Sequence, residues 1–128
     1  MEITANAVQT VTIGAPVVFT ETAVNGNYSI LHREGSGLVS LRGITNQCRA
    51  RFRVTFGANI ALPTGATVAP LSLAIAINGE PVGTATMIST PAAVEEFNNV
   101  SRVLFLDVAA GCCAQISVEN TGTTAVDV

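Results

Sequence analysis

The run QCRARFRVTF at 47–56 constrains the fold most, because charged and apolar residues alternate along it. In an extended strand, successive side chains point to opposite faces of the sheet. Arg49, Arg51 and Arg53 therefore share one face, whereas Phe52 lies on the other. The alternation predicts a β-strand that turns its phenylalanines toward a core and carries a row of arginines on its second face.

Short apolar runs of the same kind recur along the chain and are separated by glycine, proline and asparagine. Strand signals of this type cover ten segments: 7–13, 16–20, 28–33, 37–42, 48–62, 70–77, 82–88, 99–108, 113–120 and 124–128. Helical spacing is confined to 91–97, where a loop is an equal alternative. The pattern predicts an all-β chain of one domain, 1–128, folded as an antiparallel ten-stranded jelly-roll sandwich.

One connection between these segments carries a strong turn signal. Asn78 and Gly79 stand between the apolar run 70–77 and the strand-like segment that follows. A type I′ turn needs a positive φ at both of its central residues, which asparagine and glycine tolerate best. We therefore expect a tight β-hairpin at this point.

The segment 99–108 is apolar on both of its faces. Leu104 and Leu106 share one face, and Val103 and Phe105 share the other. An outer strand of a sandwich is normally polar on its solvent side. Only 12% of the residues are charged and 48% are hydrophobic, and a surface this poor in charge is typical of a protein covered in part by other subunits. We expect another chain to cover the second face.

Charge and hydropathy argue against several classes of partner. The net charge is −3, which is unfavourable for binding a phosphate backbone, so no nucleic-acid partner is expected. No apolar stretch approaches the roughly 20 residues of a membrane-spanning helix, so no membrane partner is expected. The segment 1–10 lacks the basic and then apolar layout of a secretory signal.

Residues that could carry chemistry are few. Cys48, Cys112 and Cys113 are an odd number of cysteines, and His32 is the only histidine, so neither a disulfide framework nor a zinc site is indicated. We expect Cys48 and Cys112 to be buried as small apolar residues, with a bond between strands as the alternative. No nucleophile motif accompanies His32, so it is interpreted as structural, and no cofactor, metal or enzymatic activity is predicted.

Several segments together resemble a known family. They are Phe19 followed by Asn25, the strand 48–56, LSLAIAINGE at 71–80 and LDVAAGCCAQISV at 106–118. This pattern resembles the jelly roll of tumour necrosis factor and of the complement globular heads. The phrases HREGSGLVSLRG and GCCAQISVENT are most similar to its bacterial and phage branch, among small proteins of gut Firmicutes and their phages.

The resemblance implies a homotrimer in which one sheet of each subunit faces the threefold axis. The strands 48–62 and 99–108 would lie in that sheet. The interface residues that follow from this placement are Arg49, Arg51, Arg53, Val103, Phe105 and Asp107. The arginines would pair across the interface with Asp107, Glu95, Glu96 or Glu119, because a guanidinium group holds a carboxylate through two bonds. The alternative is an ordinary solvated face.

The function expected from these observations is a non-enzymatic structural module that assembles with itself. The first candidate is a phage fibre-head or capsid-decoration protein on the virion surface, with the capsid, another virion protein or a bacterial surface glycan as further partner. The alternatives are a head domain of a collagen-like protein on a bacterial spore or cell surface, and a carbohydrate-binding sandwich. The absence of tryptophan and the presence of a single tyrosine disfavour the last of these.

Overall fold

The computed structural model describes residues 1–24, 29–43, 48–110 and 113–128. These residues form eleven β-strands and no helix. Every pairing between the strands is antiparallel, so the predicted all-β antiparallel character is confirmed. The strands are β1 (Glu2–Thr4), β2 (Thr10–Val11), β3 (Glu21–Val24), β4 (Ile30–His32), β5 (Val39–Arg42), β6 (Arg49–Ile60), β7 (Leu71–Ile77), β8 (Glu80–Ser89), β9 (Asn98–Ala109), β10 (Cys113–Asn120) and β11 (Val126–Asp127).

The predicted strands differ from the observed ones mainly near the N-terminus. The segment 16–20 is not a continuous strand and makes only the isolated bridges Pro16↔Glu119 and Phe19↔Ser36. The backbone of Val18 bonds the side-chain amide of Gln9 instead of a strand: its N–H donates to Gln9 Oε1 at 2.9 Å, and its carbonyl oxygen accepts from Gln9 Nε2 at 2.7 Å, which accounts for the interruption. The short strands β1 and β3, which pair with each other, were not predicted. The segment 91–97 is a loop, as the alternative interpretation expected.

Five strands form one sheet in the order β4-β5-β10-β7-β8. Strands β7 and β8 are joined by Asn78 and Gly79, whose φ angles are 52° and 84°. Ile77 and Glu80 pair directly on either side of this turn. Both central residues have the positive φ that a type I′ turn requires, so the predicted hairpin is confirmed.

The remaining strands pair in twos: β1 with β3, β2 with β11, and β6 with β9. A bridge between Ala61 and Asp127 joins the end of β6 to β11. The pairings nest inside one another, since β7 pairs with β8, β6 with β9, β5 with β10 and β2 with β11. The chain therefore follows the course of a long antiparallel ribbon.

A single apolar core is shared by these strands. It takes side chains from the β6–β9 pair and from the five-stranded sheet, including Phe56, Ile60, Val100, Val108, Leu71, Leu73, Ile75, Ile116 and Val118. Full burial of one such side chain contributes about 1.5–3 kcal/mol. In the described part of the chain, no helix is long and apolar enough to cross a membrane.

The buried polar residue Asn120 fixes the chain at the edge of this core. Its Nδ2 donates to the carbonyl oxygens of Val11 and Thr124 at 3.0 and 2.9 Å, and its Oδ1 accepts from the Gly122 N–H at 3.0 Å. Because these bonds engage both its donor and its acceptor atoms, the amide is buried without leaving an unpaired group. Asn120 thereby links the end of β10 to β2 and to the loop before β11.

The β7–β8 turn gives a first prediction. Gly79→Ala should lower the free energy of unfolding by about 1–2 kcal/mol, because a residue with a Cβ is strained at this positive φ. Gly83→Ala is the matched control, since a Cβ at Gly83 meets no atom within 4 Å and its φ is not in the left-handed region. Urea unfolding at one protein concentration measures both variants. Equal stability of the two would contradict the role assigned to the turn.

Candidate functional site

Strands β6 and β9 form a ladder with one exposed side. The register is unbroken from Arg49↔Ala109 to Ile60↔Asn98. Every second residue of β6, beginning with Arg49, is exposed, whereas the intervening residues turn toward the core. The predicted separation of the two faces is therefore confirmed. The exposed side is called here the outer face and comprises Arg49, Arg51, Arg53, Thr55, Val103, Phe105 and Asp107.

Register places Asp107 directly opposite Arg51 on the outer face. The Nε of Arg51 donates to Oδ1 of Asp107 at 2.9 Å, and its Nη2 donates to Oδ2 at 3.3 Å. Arg49 Nη1 lies 3.6 Å from the same Oδ2. The hydrogen bonds from Arg51 lower the pKa of Asp107 against the opposing effect of desolvation, and the charges of Arg51 and Arg49 lower it further. The same hydrogen bonds raise the pKa of Arg51.

Arg53 differs from its two neighbours in the row. It lies opposite Phe105, and among the residues that the structure describes no carboxylate lies within ion-pair distance of it. Two of its predicted partners have other contacts in the same chain: Glu95 accepts a hydrogen bond from Thr64, and Glu119 accepts one from Ser117 at 3.4 Å. The expected pairing across a subunit interface stays a prediction, and the partner found for Arg51 belongs to its own chain.

The apolar part of the outer face lies beside the arginine row. Phe105 is 65% exposed and Val103 is 39% exposed. On the opposite side of β9, Leu104 and Leu106 pack against the core. The prediction that this strand is apolar on both faces is therefore confirmed. At the far end of the ladder, Asn99 Nδ2 donates to Asn59 Oδ1 at 3.2 Å.

A cavity of about 440 Å³ lies on the core side of β6, next to the five-stranded sheet. Apolar side chains form most of its wall: Phe19, Ile30, Val39, Leu41, Phe52, Val54, Phe56, Ile75, Ile116 and Val118. Sequence reasoning missed this cavity. The alternation of 48–56 shows which side chains face inward, but it contains no signal for how closely the strands opposite them approach.

The other candidate residues are His32 and the cysteines. His32 Nε2 lies 2.9 Å from the carbonyl oxygen of Ser36, and its ring meets Phe19 edge to face with centroids 6.2 Å apart. The expectation that Cys48 is buried is wrong: it is exposed, because β6 begins only at Arg49 and its alternation does not extend to the cysteine. Cys112 lies outside the described residues. Within the described ranges, no three potential metal ligands cluster together.

No protein-family model matches the chain, and no match is found among the curated proteins. The family resemblance therefore stays a prediction that rests on the sequence segments quoted for it. The geometry of the outer face is independent of that resemblance. It combines exposed apolar side chains, an ion-pair cluster of two arginines and one aspartate, and a third arginine with no carboxylate beside it in the described chain. This chemistry is suited to binding another protein surface.

The ion pair yields a second prediction, measured by ¹³C NMR titration of the side-chain carboxyl groups. Asp107 should titrate below the ordinary aspartate pKa of about 3.9. Arg51→Met, which keeps an apolar stem but has neither charge nor N–H, should raise this pKa toward the ordinary value. Arg49→Met is the control and should have a smaller effect, because Arg49 contributes only its charge.

The same shift fixes how the ion pair depends on pH. The pKa of Asp107 is lower in the folded protein than in the unfolded chain. The ion pair therefore contributes fully to stability at a pH above the ordinary aspartate pKa, and this contribution is lost as the pH falls through the pKa of the folded protein. An Asp107 pKa that does not respond to Arg51→Met would contradict the assigned hydrogen bonds.

Proposed function

We propose that the protein is a non-enzymatic structural module that assembles as a homotrimer through the outer face. The observation that carries the proposal is the exposed Phe105 beside the arginine row. Aromatic residues and arginine are the side chains most enriched in the buried centres of protein interfaces. Association would remove Phe105 and Val103 from water, and the free energy of that transfer would drive assembly.

The strand pairing supports a jelly roll similar to that of the tumour-necrosis-factor family. In a jelly roll, an antiparallel ribbon is rolled so that successive strand pairs fall into two facing sheets. The nested pairing of β7 with β8, β6 with β9, β5 with β10 and β2 with β11 is what such rolling requires. The β6–β9 pair then presents its outer face away from the five-stranded sheet, where a neighbouring subunit can reach it.

The charges of the outer face are compatible with burial in a trimer. The two bonds between Arg51 and Asp107 already pair opposite charges inside one chain, which reduces the cost of taking them out of water. Arg53 needs a carboxylate from elsewhere, because a buried unpaired guanidinium is costly. In the proposed trimer, a neighbouring subunit supplies that carboxylate from Glu95, Glu96 or Glu119.

We further propose that the trimer is a fibre-head or decoration protein of a phage virion. This assignment rests on the family resemblance and on the low fraction of charged residues. Genomic neighbours test it directly. Capsid and portal genes beside the gene for this chain would support the virion assignment, whereas sporulation genes would support a spore-surface protein instead.

Multi-angle light scattering tests the assembly. The parent protein should have a mass of three times 13.1 kDa, and Phe105→Ser should shift it toward the monomer, because the interface loses its largest apolar side chain. Ile88→Ser is the matched control: Ile88 is 67% exposed but lies on β8 in the other sheet. A parent protein that stays monomeric at micromolar concentrations would overturn the trimer, as would equal effects of the two substitutions.

Replacing Arg49, Arg51 and Arg53 together by Gln tests the role of the row. In an interface, the change leaves carboxylates without partners, so the dissociation constant should rise about tenfold or more. Acid that protonates the carboxylates should weaken the parent trimer in the same direction. If the triple variant assembles as tightly as the parent while Phe105→Ser does not, the arginines lie outside the interface.

A further inference from the structure

One edge of β6 is paired over the whole strand, whereas on the other edge the described residues pair only at its end. Strand β9 covers the first edge. On the second edge, Ala61 and Asp127 exchange both backbone hydrogen bonds, each at 2.9 Å. In an antiparallel ladder, the N–H and C=O of one residue both point to the same neighbouring strand. Every second residue along the strand points to that same side, and the residues between them point to the other. The backbone groups of Thr55 and Gly57 therefore point to the Ala61 edge, away from β9.

The cavity runs along this second edge. Six consecutive residues of β6, 52–57, line it, and so do three consecutive residues at the N-terminus, 1–3. Consecutive residues of a strand point alternately to its two faces. All six can therefore line one cavity only where the cavity meets the edge of the strand as well as one of its faces. Strand β1 pairs with β3 along one of its edges. Its residues form part of the cavity wall, together with those of β6. The cavity is thus a slot between two strands.

We propose that this slot accepts an extended peptide segment of a partner protein, added as a strand antiparallel to β6. The bridge between Ala61 and Asp127 fixes the direction, because a strand in line with β11 continues the same ladder toward Arg53. Strand addition supplies hydrogen-bond partners to backbone groups at the slot, which a small apolar ligand cannot do. The floor of the slot, formed by Val39, Leu41 and Val118, suits apolar side chains at alternate positions of the peptide.

Arg53 specifies one further position of the peptide. The peptide residue directly opposite Arg53 would project to the same side of the sheet, the outer face. Within the described chain, Arg53 has no carboxylate at ion-pair distance, and opposite charges on directly paired residues are favourable. The partner segment therefore has apolar side chains facing the core and an acidic side chain opposite Arg53.

A synthetic peptide tests this inference with the 128-residue protein. The probe is the octapeptide Thr-Val-Ser-Val-Thr-Val-Glu-Val, blocked at both ends, with two lysines added for solubility after a C-terminal Gly-Ser-Gly spacer, since Asp127 already pairs with Ala61 at the N-terminal end of the probe. Its valines face the core, and its glutamate falls opposite Arg53 when its first threonine lies opposite Asn59. Isothermal calorimetry should show binding, and the amide hydrogens of Thr55 and Gly57 should exchange about tenfold more slowly with the peptide bound.

Control peptides and variants separate strand addition from simple filling of an apolar cavity. Methylating the peptide nitrogens that face β6, or replacing the glutamate by lysine, should each weaken binding about tenfold. Thr55→Pro removes one slot-facing N–H and should abolish binding, whereas Thr55→Val should retain it. No binding of the first peptide, equal binding of the methylated peptide, or unchanged exchange at Thr55 and Gly57 would overturn the inference. Light scattering of the same samples reports trimer formation separately, so failure of either proposal leaves the other intact.

Discussion

The unbroken ladder between β6 and β9 is the constraint on which the other features depend. Its register fixes which side chains of both strands face the core and which form the outer face. A slip of one residue would turn Arg51 and Arg53 inward and expose Phe52 and Phe56, and the cost of burying unpaired guanidinium groups would exceed any gain in pairing. The core and the outer face are therefore two consequences of one register.

The outer face is positive within an acidic chain. Its three arginines and one aspartate leave a surplus of two positive charges, whereas the whole chain carries a net charge of −3. Asp107 lies opposite Arg51, and Arg49 also reaches it. One surplus charge belongs to the cluster of Arg49, Arg51 and Asp107, and the other belongs to Arg53, which lies opposite Phe105. A partner for this region needs a carboxylate next to an apolar surface, and another copy of an acidic, apolar chain can provide both.

Sequence reasoning succeeded where the signal is local. The two-residue period of 48–56 predicted the faces of β6, and Asn78-Gly79 predicted the hairpin, because neighbouring residues alone set these conformations. It failed where the structure depends on which distant segments meet. The pairing of β1 with β3 and the cavity beside β6 both arise from chain topology. The same holds for the contact of Arg51 with Asp107, 56 residues away in the same chain, since the sequence pointed to Asp107 only as a partner across a subunit interface. Cys48 was misplaced because alternation does not reveal the residue at which a strand begins.

The two proposals for this protein meet at Arg53. Its side chain belongs to the outer face, and its backbone borders the slot. A guanidinium group can hold one carboxylate through two parallel bonds, so a carboxylate from a neighbouring subunit and one from an added strand compete for it. Phe105 and Val103 do not take part in that competition, since strand addition occurs at the opposite edge of β6 from β9. An acidic strand in the slot should therefore loosen the charged contacts of a trimer while leaving its apolar contacts in place, which would couple partner binding to assembly through a single side chain.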